Sequence, residues 1–141
     1  MILILGGTTE GRLAVKVADE AGSPYYYSTR GIQQEIACRN GIHLTGGMDV
    51  EAMTSFCIHH QIRLLVDAAH PFAVGLHQTV HETAIRLNLP VVRVERSYPE
   101  RATDIVWCED YEDAVCKLEK DRIHSLLSLT GVQTIGKLRG Y

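Results

Sequence analysis

The sequence has no surplus of basic charge. Its 14 lysines and arginines face 17 aspartates and glutamates, for a formal net charge of -3 and a pI near 6.1. That balance excludes the basic face or stripe that nucleic-acid binding requires. No apolar run reaches the roughly 18 residues of a membrane span, and the N-terminus shows neither a basic n-region nor a small-residue cleavage site. The expectation is a soluble protein of the cytoplasm with neither membrane nor nucleic acid among its partners. The four cysteines, Cys38, Cys57, Cys108 and Cys116, include no C-x-x-C pair, which removes the zinc-ribbon and dithiol redox motifs and leaves reduced core thiols. His77 and His81 stand four apart, but H-x-x-x-H lacks the glutamate of H-E-x-x-H, and only His70 is at hand as a third ligand. No metal site is expected.

What is present is organised around the first dozen residues. Ile2 to Leu5 form a continuous β-branched and leucine run without polar alternation, the pattern of a parallel strand buried on both faces. Gly6-Gly7-Thr8-Thr9-Glu10-Gly11 follows, and from Leu13 apolar residues recur as Leu13, Ala14, Val17, Ala18 and Ala21, which predicts a helix with one buried face. A strand, a glycine turn and a helix start, capped by Thr8 or Thr9, make an anion cradle, because the first backbone N–H groups of a helix lack intrahelical partners and its dipole favours negative charge. Against the dinucleotide fingerprint G-x-G-x-x-G, Gly6 and Gly11 match while Thr8 takes the place of the second glycine. The plain alternative is a tight turn that binds nothing.

The rest of the chain repeats the strand-helix alternation. At 141 residues and 45% hydrophobic, it is long enough to bury about two thirds of its unfolded surface in an α/β core. Pro24 to Thr29 reads as the second strand, ending in Ser28-Thr29-Arg30-Gly31 with no acid where a ribose 2′-hydroxyl would be read. An arginine there suits a 2′-phosphate, so the cofactor preference leans to NADP(H) over NAD(H); an ordinary surface arginine is the alternative. A short helix is predicted over residues 32–40, a third strand over Ile42 to Thr45, and a helix capped by Asp49 with Val50, Met53 and Cys57 on its inner face, leaving His59 and His60 at its solvent end. Arg63 to Asp67 is the fourth strand, and Ala68-Ala69-His70-Pro71-Phe72-Ala73 leaves its carboxyl end.

A doubly wound order 3-2-1-4-5 sets strand four beside strand one and turns their two loops towards one crevice. Asp67, His70 and Phe72 then offer an acid, a titratable ring and an apolar wall; equally, Asp67 caps the next helix and His70 is bonded within its loop. That helix runs from Val74 to Leu87 with Leu76, Val80, Ala84 and Leu87 inward. Val91 to Val94 is strand five, and Arg93, Arg96 and Arg101 cluster at and just past its end, where they suit carboxylates unless Glu95 and Glu100 neutralise them. Ile105 to Trp107 reads as another short strand and Tyr111 to Lys120 as an amphipathic helix. Ser125 to Gly131 with the helix predicted after it reads as the start of a second α/β lobe. The expected organisation is therefore a Rossmann-like doubly wound domain over residues 1–122 and the beginning of a further lobe over residues 123–141.

In matching order, Ile2 to Arg12, Ser28 to Gly31, Gly46-Gly47 and above all Asp67-Ala68-Ala69-His70-Pro71-Phe72-Ala73 resemble the precorrin-6A reductase family of cobalamin biosynthesis. Ala69 stands where that family usually has threonine, and family members carry a second α/β lobe. The resemblance implies a reductase that moves a hydride from NADPH, or from NADH, to one double bond of precorrin-6A or its cobalt form, giving the 6B product. It further implies that Gly6, Gly7, Thr8, Thr9 and Glu10 hold the pyrophosphate, Ser28, Thr29 and Arg30 the adenosine end, with Gly46, Asp67 and Ala68 completing the cofactor set. His70 would be the catalytic candidate near nicotinamide and substrate, and His70, Arg93 and Arg96 the contacts to the carboxylate-rich tetrapyrrole. A homodimer or a complementary second-lobe chain is the expected partner. A non-catalytic dinucleotide-sensing module that regulates a partner is the alternative from another class.

Overall fold

Strand-forming and helix-forming segments alternate as β1 (Ile2–Leu5), α1 (Thr9–Glu20), β2 (Tyr25–Thr29), β3 (Gly41–Thr45), α2 (Val50–His59), β4 (Leu64–Asp67), α3 (Val74–Leu87), β5 (Val91–Arg93) and α4 (Tyr111–Lys120), with a 3-10 stretch at Val132–Leu138. These come from a computed structural model that describes residues 1–31, 36–97, 100, 102–129 and 132–138. The strands form one parallel sheet in the order β3-β2-β1-β4-β5, the doubly wound arrangement expected from the sequence. The chain divides into two compact units, Met1–Ser97 and residues 98–141. β5 is the last strand that joins the sheet among the described residues.

The three central strands, β2, β1 and β4, are buried on both faces, which is why β1 and β4 are apolar without alternation, whereas the edge strands β3 and β5 are half-buried or exposed. On one face Leu3, Leu5 and Leu65 pack against Met53 and Cys57 of α2 and Val80 and Ala84 of α3. On the other, Ile4, Tyr25, Tyr27 and Val66 pack against Val15 and Ala18 of α1. Burial pushes the Cys57 thiol up to about 11, so it is an inert core group. Of the other cysteines Cys108 and Cys116 are exposed and Cys38 is half-buried, so the expectation of core thiols holds for Cys57 alone.

Local departures from the sequence reading have local causes. The inner face of α1 is Gly11, Val15 and Ala18, while Leu13 and Val17 are 55% and 64% exposed. The expected face was out of phase because Gly11, which lacks a side chain and so carries no hydrophobic signal, is what lies against the sheet. Of the helix predicted over residues 32–40, residues 32–35 lie outside the described residues. Residues 36–40 are not helical: the backbone N–H groups of Arg39 and Asn40 donate to the Asp19 carboxylate at 3.3 and 2.9 Å, and the Asn40 side chain donates to the Asp19 carbonyl. His60 is packed rather than left to solvent, with its Nδ1 2.9 Å from the Tyr26 hydroxyl and its ring 4.3 Å from that of Phe56. Ile105 to Trp107 and the described residues 125–129 are not strands, since a β segment without a neighbour to pair with leaves its backbone unsatisfied.

Candidate functional site

Parallel register brings the carboxyl ends of four strands level. Leu5 of β1 pairs with Ser28 of β2 and with Asp67 of β4, and Asp67 pairs with Arg93 of β5. The loops that leave these ends line a cleft of about 690 Å3 whose walls include Gly6, Gly7, Thr8, Ser28, Thr29, Arg30, Gly46, His70 and Phe72. The cleft sits at the point where strand order reverses, the position at which doubly wound sheets take ligands. Thr9, Glu10, Asp67, Ala68, Arg93 and Arg96, also singled out from the sequence, lie around it rather than in its lining.

The glycine loop is built on Tyr27. Its ring is fully buried beneath the loop, and a Cβ at Gly6 would stand 2.3 Å from the Tyr27 Cε2. A Cβ at Gly11 would come within 2.9 Å of the Gly6 Cα and 3.0 Å of the Tyr27 hydroxyl. Gly7 takes a φ of +101, and its N–H donates to the Tyr27 hydroxyl at 3.0 Å. Burial is the main cause that pushes the Tyr27 phenol above its ordinary range. Thr8 caps α1, accepting from the Gly11 N–H at 3.1 Å, and donates its own hydroxyl to the Ala68 carbonyl at 2.7 Å. The loops after β1 and β4 are thereby fastened together, and Thr9, at the first position of α1, is exposed.

The adenosine-side candidates divide by burial. Ser28 and Thr29 are buried; the Thr29 hydroxyl donates to the Gly31 carbonyl at 2.9 Å and lies 2.8 Å from His43 Nε2. Arg30 is exposed and makes no ion pair among the described residues. Gly46, at a φ of +116, and Gly47 leave open space where side chains would project.

On the opposite side of the cleft lies a charge cluster that sequence spacing did not show. Asp67 is 3% exposed; it accepts from the Ala69 N–H at 3.2 Å and from Arg93 Nη1 at 2.7 Å, and its Oδ2 lies 2.8 Å from His77 Nδ1. Arg93 Nη1 also touches His77 Nδ1, while its Nε and Nη2 donate to Glu95. Hydrogen bonds to Glu95 and Asp67 raise the Arg93 pKa against the opposing effect of its partial burial. Arg96 donates to Glu10 at 3.0 Å, and that contact is the main cause holding the Glu10 carboxyl below its ordinary value. Arg101 lies outside the described residues. His70 is exposed at the cleft and its Nδ1 accepts from the Phe72 N–H at 3.2 Å; the two rings lie 5.2 Å apart. No group of three or more metal-ligating side chains gathers among the described residues, and His77 turns to Asp67 rather than to His81.

A family model described as Precorrin-6x reductase CbiJ/CobK matches residues 1–141. The chain belongs to that family. Among its relatives, the precorrin-6A reductase of Rhodococcus erythropolis is 34% identical over 97 residues, covering 67% of this chain and 39% of that protein. The cobalt-precorrin-6A reductase of Priestia megaterium is 27% identical over 141 residues, covering 96% of this chain and 54% of that protein. A solved structure titled CobK precorrin-6A reductase matches with a TM-score of 0.69 at 22% identity, over 82% of this chain and 47% of that one, which establishes the shared α/β fold. The chain spans about half the length, or less, of these precorrin-6x reductase relatives. No helix among the described residues is long and apolar enough to cross a membrane.

Proposed function

We propose that this chain is the cofactor-binding lobe of a reductase that transfers hydride from NADPH to one double bond of precorrin-6A or its cobalt form. The observation that carries the reading is the cleft at the strand-order reversal, in a chain matched along its whole length by the precorrin-6x reductase family. The residues present suit the cofactor. Open space above Gly7, Gly46 and Gly47 lets a ligand approach the backbone, and the N-terminus of α1 opens onto it. Arg30, exposed and without an ion pair among the described residues, has its guanidinium at hand for a 2′-phosphate.

In this reading Gly6, Gly7 and Thr8, which line the cleft, hold the pyrophosphate, with Thr9 and Glu10 beside them at the start of α1. Gly7 is held in place from below by Tyr27. Ser28, Thr29 and Arg30 bound the adenosine end, and Gly46 and Ala68 the remaining walls. The bound dinucleotide supplies the hydride; the chain's own side chains orient the rings and exclude water. His70, with Nδ1 occupied by the Phe72 N–H, presents its other ring nitrogen as the candidate for steering a proton. Of the two described arginines proposed to meet substrate carboxylates, Arg96 has the more exposed side chain, 49% against 29% for Arg93. Asp67 serves the same wall indirectly by fixing Arg93. A second α/β lobe, from further chain, a second copy or a separate chain, supplies the wall that encloses the macrocycle.

Titration calorimetry with NADPH and NADH tests the reading. NADPH binds more tightly in the parent chain, and Arg30→Ala narrows the difference by about 1–3 kcal/mol, the range for a charge-assisted contact. Absence of binding by either cofactor refutes the proposal. Equal affinities refute the preference for NADPH.

A further inference from the structure

In the sequence His77 is notable only for standing four residues before His81. In the fold its side chain joins the end of the sheet to the loop at residues 70–73. Ala73, the residue before α3, gives that helix no side-chain cap, and the imidazole of His77, one turn in, reaches back instead. Its Nε2 lies 3.0 Å from the His70 carbonyl oxygen and 3.3 Å from that of Pro71. Both neighbours are acceptors, so acceptor chemistry assigns the hydrogen to Nε2. On the other side of the ring, Nδ1 accepts from the Arg93 guanidinium, which also donates to the buried Asp67 carboxylate 2.8 Å from Nδ1 and is held by Glu95 from beyond. Asp67 and Arg93 are paired across β4 and β5, so the ring is oriented by the sheet rather than by the loop. The loop makes hydrogen bonds within itself, from the Phe72 and Ala73 N–H groups to His70, but its side chains face outward: Phe72 is 85% exposed and His70 is exposed.

We propose that His77 is a positioning residue: anchored to the sheet through Asp67 and Arg93, its Nε2–H holds the His70 and Pro71 carbonyls and so sets the His70 and Phe72 rings at the nicotinamide end of the cleft. The proposal rests on the nicotinamide-cofactor reading above. A loop ordered before the ligand arrives need not be ordered by it, so loss of the tether weakens whatever touches that end of the cleft and spares what touches only the other.

The test compares the parent chain with His77→Phe, which keeps a ring but no donor, and His77→Gln, which keeps one. Amide hydrogen exchange is read without ligand at Phe72 and Ala73, whose N–H groups donate to His70 Nδ1 and to the His70 carbonyl. Calorimetry uses NADPH and adenosine 2′,5′-bisphosphate, a fragment with the adenosine end and no nicotinamide. In His77→Phe, exchange at Phe72 and Ala73 accelerates while the amides of β1 and β4 keep their rates. NADPH affinity falls about 3- to 10-fold, the equivalent of one lost hydrogen bond, and fragment affinity is unchanged. His77→Gln lies between parent and His77→Phe. Unchanged exchange at Phe72 and Ala73, or an equal fall for NADPH and the fragment, overturns the proposal. If the parent binds neither compound, the cofactor reading fails and the exchange rates alone decide the role of His77. If His77→Phe does not fold, faster exchange confined to the loop in His77→Gln supports the tether, and parent-like exchange there refutes it.

Discussion

Replacing Arg93 by methionine asks whether this arginine organises the wall of the cleft or waits there for a ligand. The Asp67 side chain is 4% exposed and has two donors, Arg93 Nη1 at 2.7 Å and the Ala69 N–H at 3.2 Å, with His77 Nδ1 2.8 Å away. Arg93→Met keeps much of the aliphatic volume but takes away the permanent positive charge. Breaking a fully buried ion pair costs about 3–5 kcal/mol, because the remaining charge is left uncompensated. Two features reduce that figure here. Arg93 is itself 29% exposed, and the Ala69 N–H still donates to the carboxylate. We therefore expect a loss of about 2–3 kcal/mol, which for a folded unit of this size lowers Tm by about 8–20 °C. Thermal unfolding followed by circular dichroism at neutral pH reads the effect. In the double variant with Asp67→Asn, which removes the orphaned charge, part of the loss returns, so the two substitutions are strongly non-additive. If Arg93→Met melts within about 2 °C of the parent, or if the two losses simply add, the cluster does not have the energetic role derived from its burial.

Three further outcomes follow from named contacts. Gly6→Ala drives a Cβ into the buried Tyr27 ring and costs about 1–3 kcal/mol in denaturant unfolding; the cost shrinks in a Tyr27→Leu background, and an equal cost in both backgrounds would falsify the packing argument. Thr83 is fully buried and its hydroxyl has no hydrogen-bond partner among the described residues, so Thr83→Val raises the unfolding midpoint by the equivalent of about 1 kcal/mol, whereas a fall would reveal a partner. Glu10 titrates below its ordinary 4.5 chiefly because Arg96 donates to it. A depressed folded value means that the carboxylate favours the folded state above the unfolded pKa, and that this contribution fades as pH falls through the folded one. Arg96→Ala returns the NMR titration of Glu10 towards 4.5, and an unmoved midpoint rejects the pairing.

Strand order and the position of the cleft were legible because both follow from patterns that a linear sequence carries. Short β-rich stretches separated by helical ones, with the apolar runs of β1 and β4 buried between layers, specify parallel strands, and the crossover rules then leave few orders for five of them. The helix from Val74 to Leu87 and that from Tyr111 to Lys120 were readable to the residue, since each carries a regular apolar face. The Asp67, His77 and Arg93 cluster was not readable. Its members come from β4, α3 and β5, and only the pairing of Asp67 with Arg93 in the register of neighbouring strands makes them neighbours. The face of α1 was misjudged for a related reason: hydrophobic periodicity counts side chains, and the closest approach of that helix to the sheet is made at Gly11, which has none.

The departure of the glycine loop from the dinucleotide fingerprint also has a physical reading. In that fingerprint the second glycine lets a pyrophosphate approach, and the third lets helix and strand pack closely. Here the third function survives at Gly11, but the group that presses against it and against Gly6 is the Tyr27 ring of β2. Tyr27 in turn takes up the Gly7 N–H, so the loop is shaped from below by a phenol rather than left for a ligand to order. Thr8, where the second glycine would stand, supplies two hydrogen bonds that glycine cannot make: one caps α1 and the other fastens the β1 loop to Ala68 after β4. Glycine at this position would free both loops, whereas serine would keep both bonds. A chain that couples its two loops in this way requires a hydroxyl at position 8 and an aromatic ring with a hydroxyl at position 27, and that paired requirement is more specific to this cleft than the glycines alone.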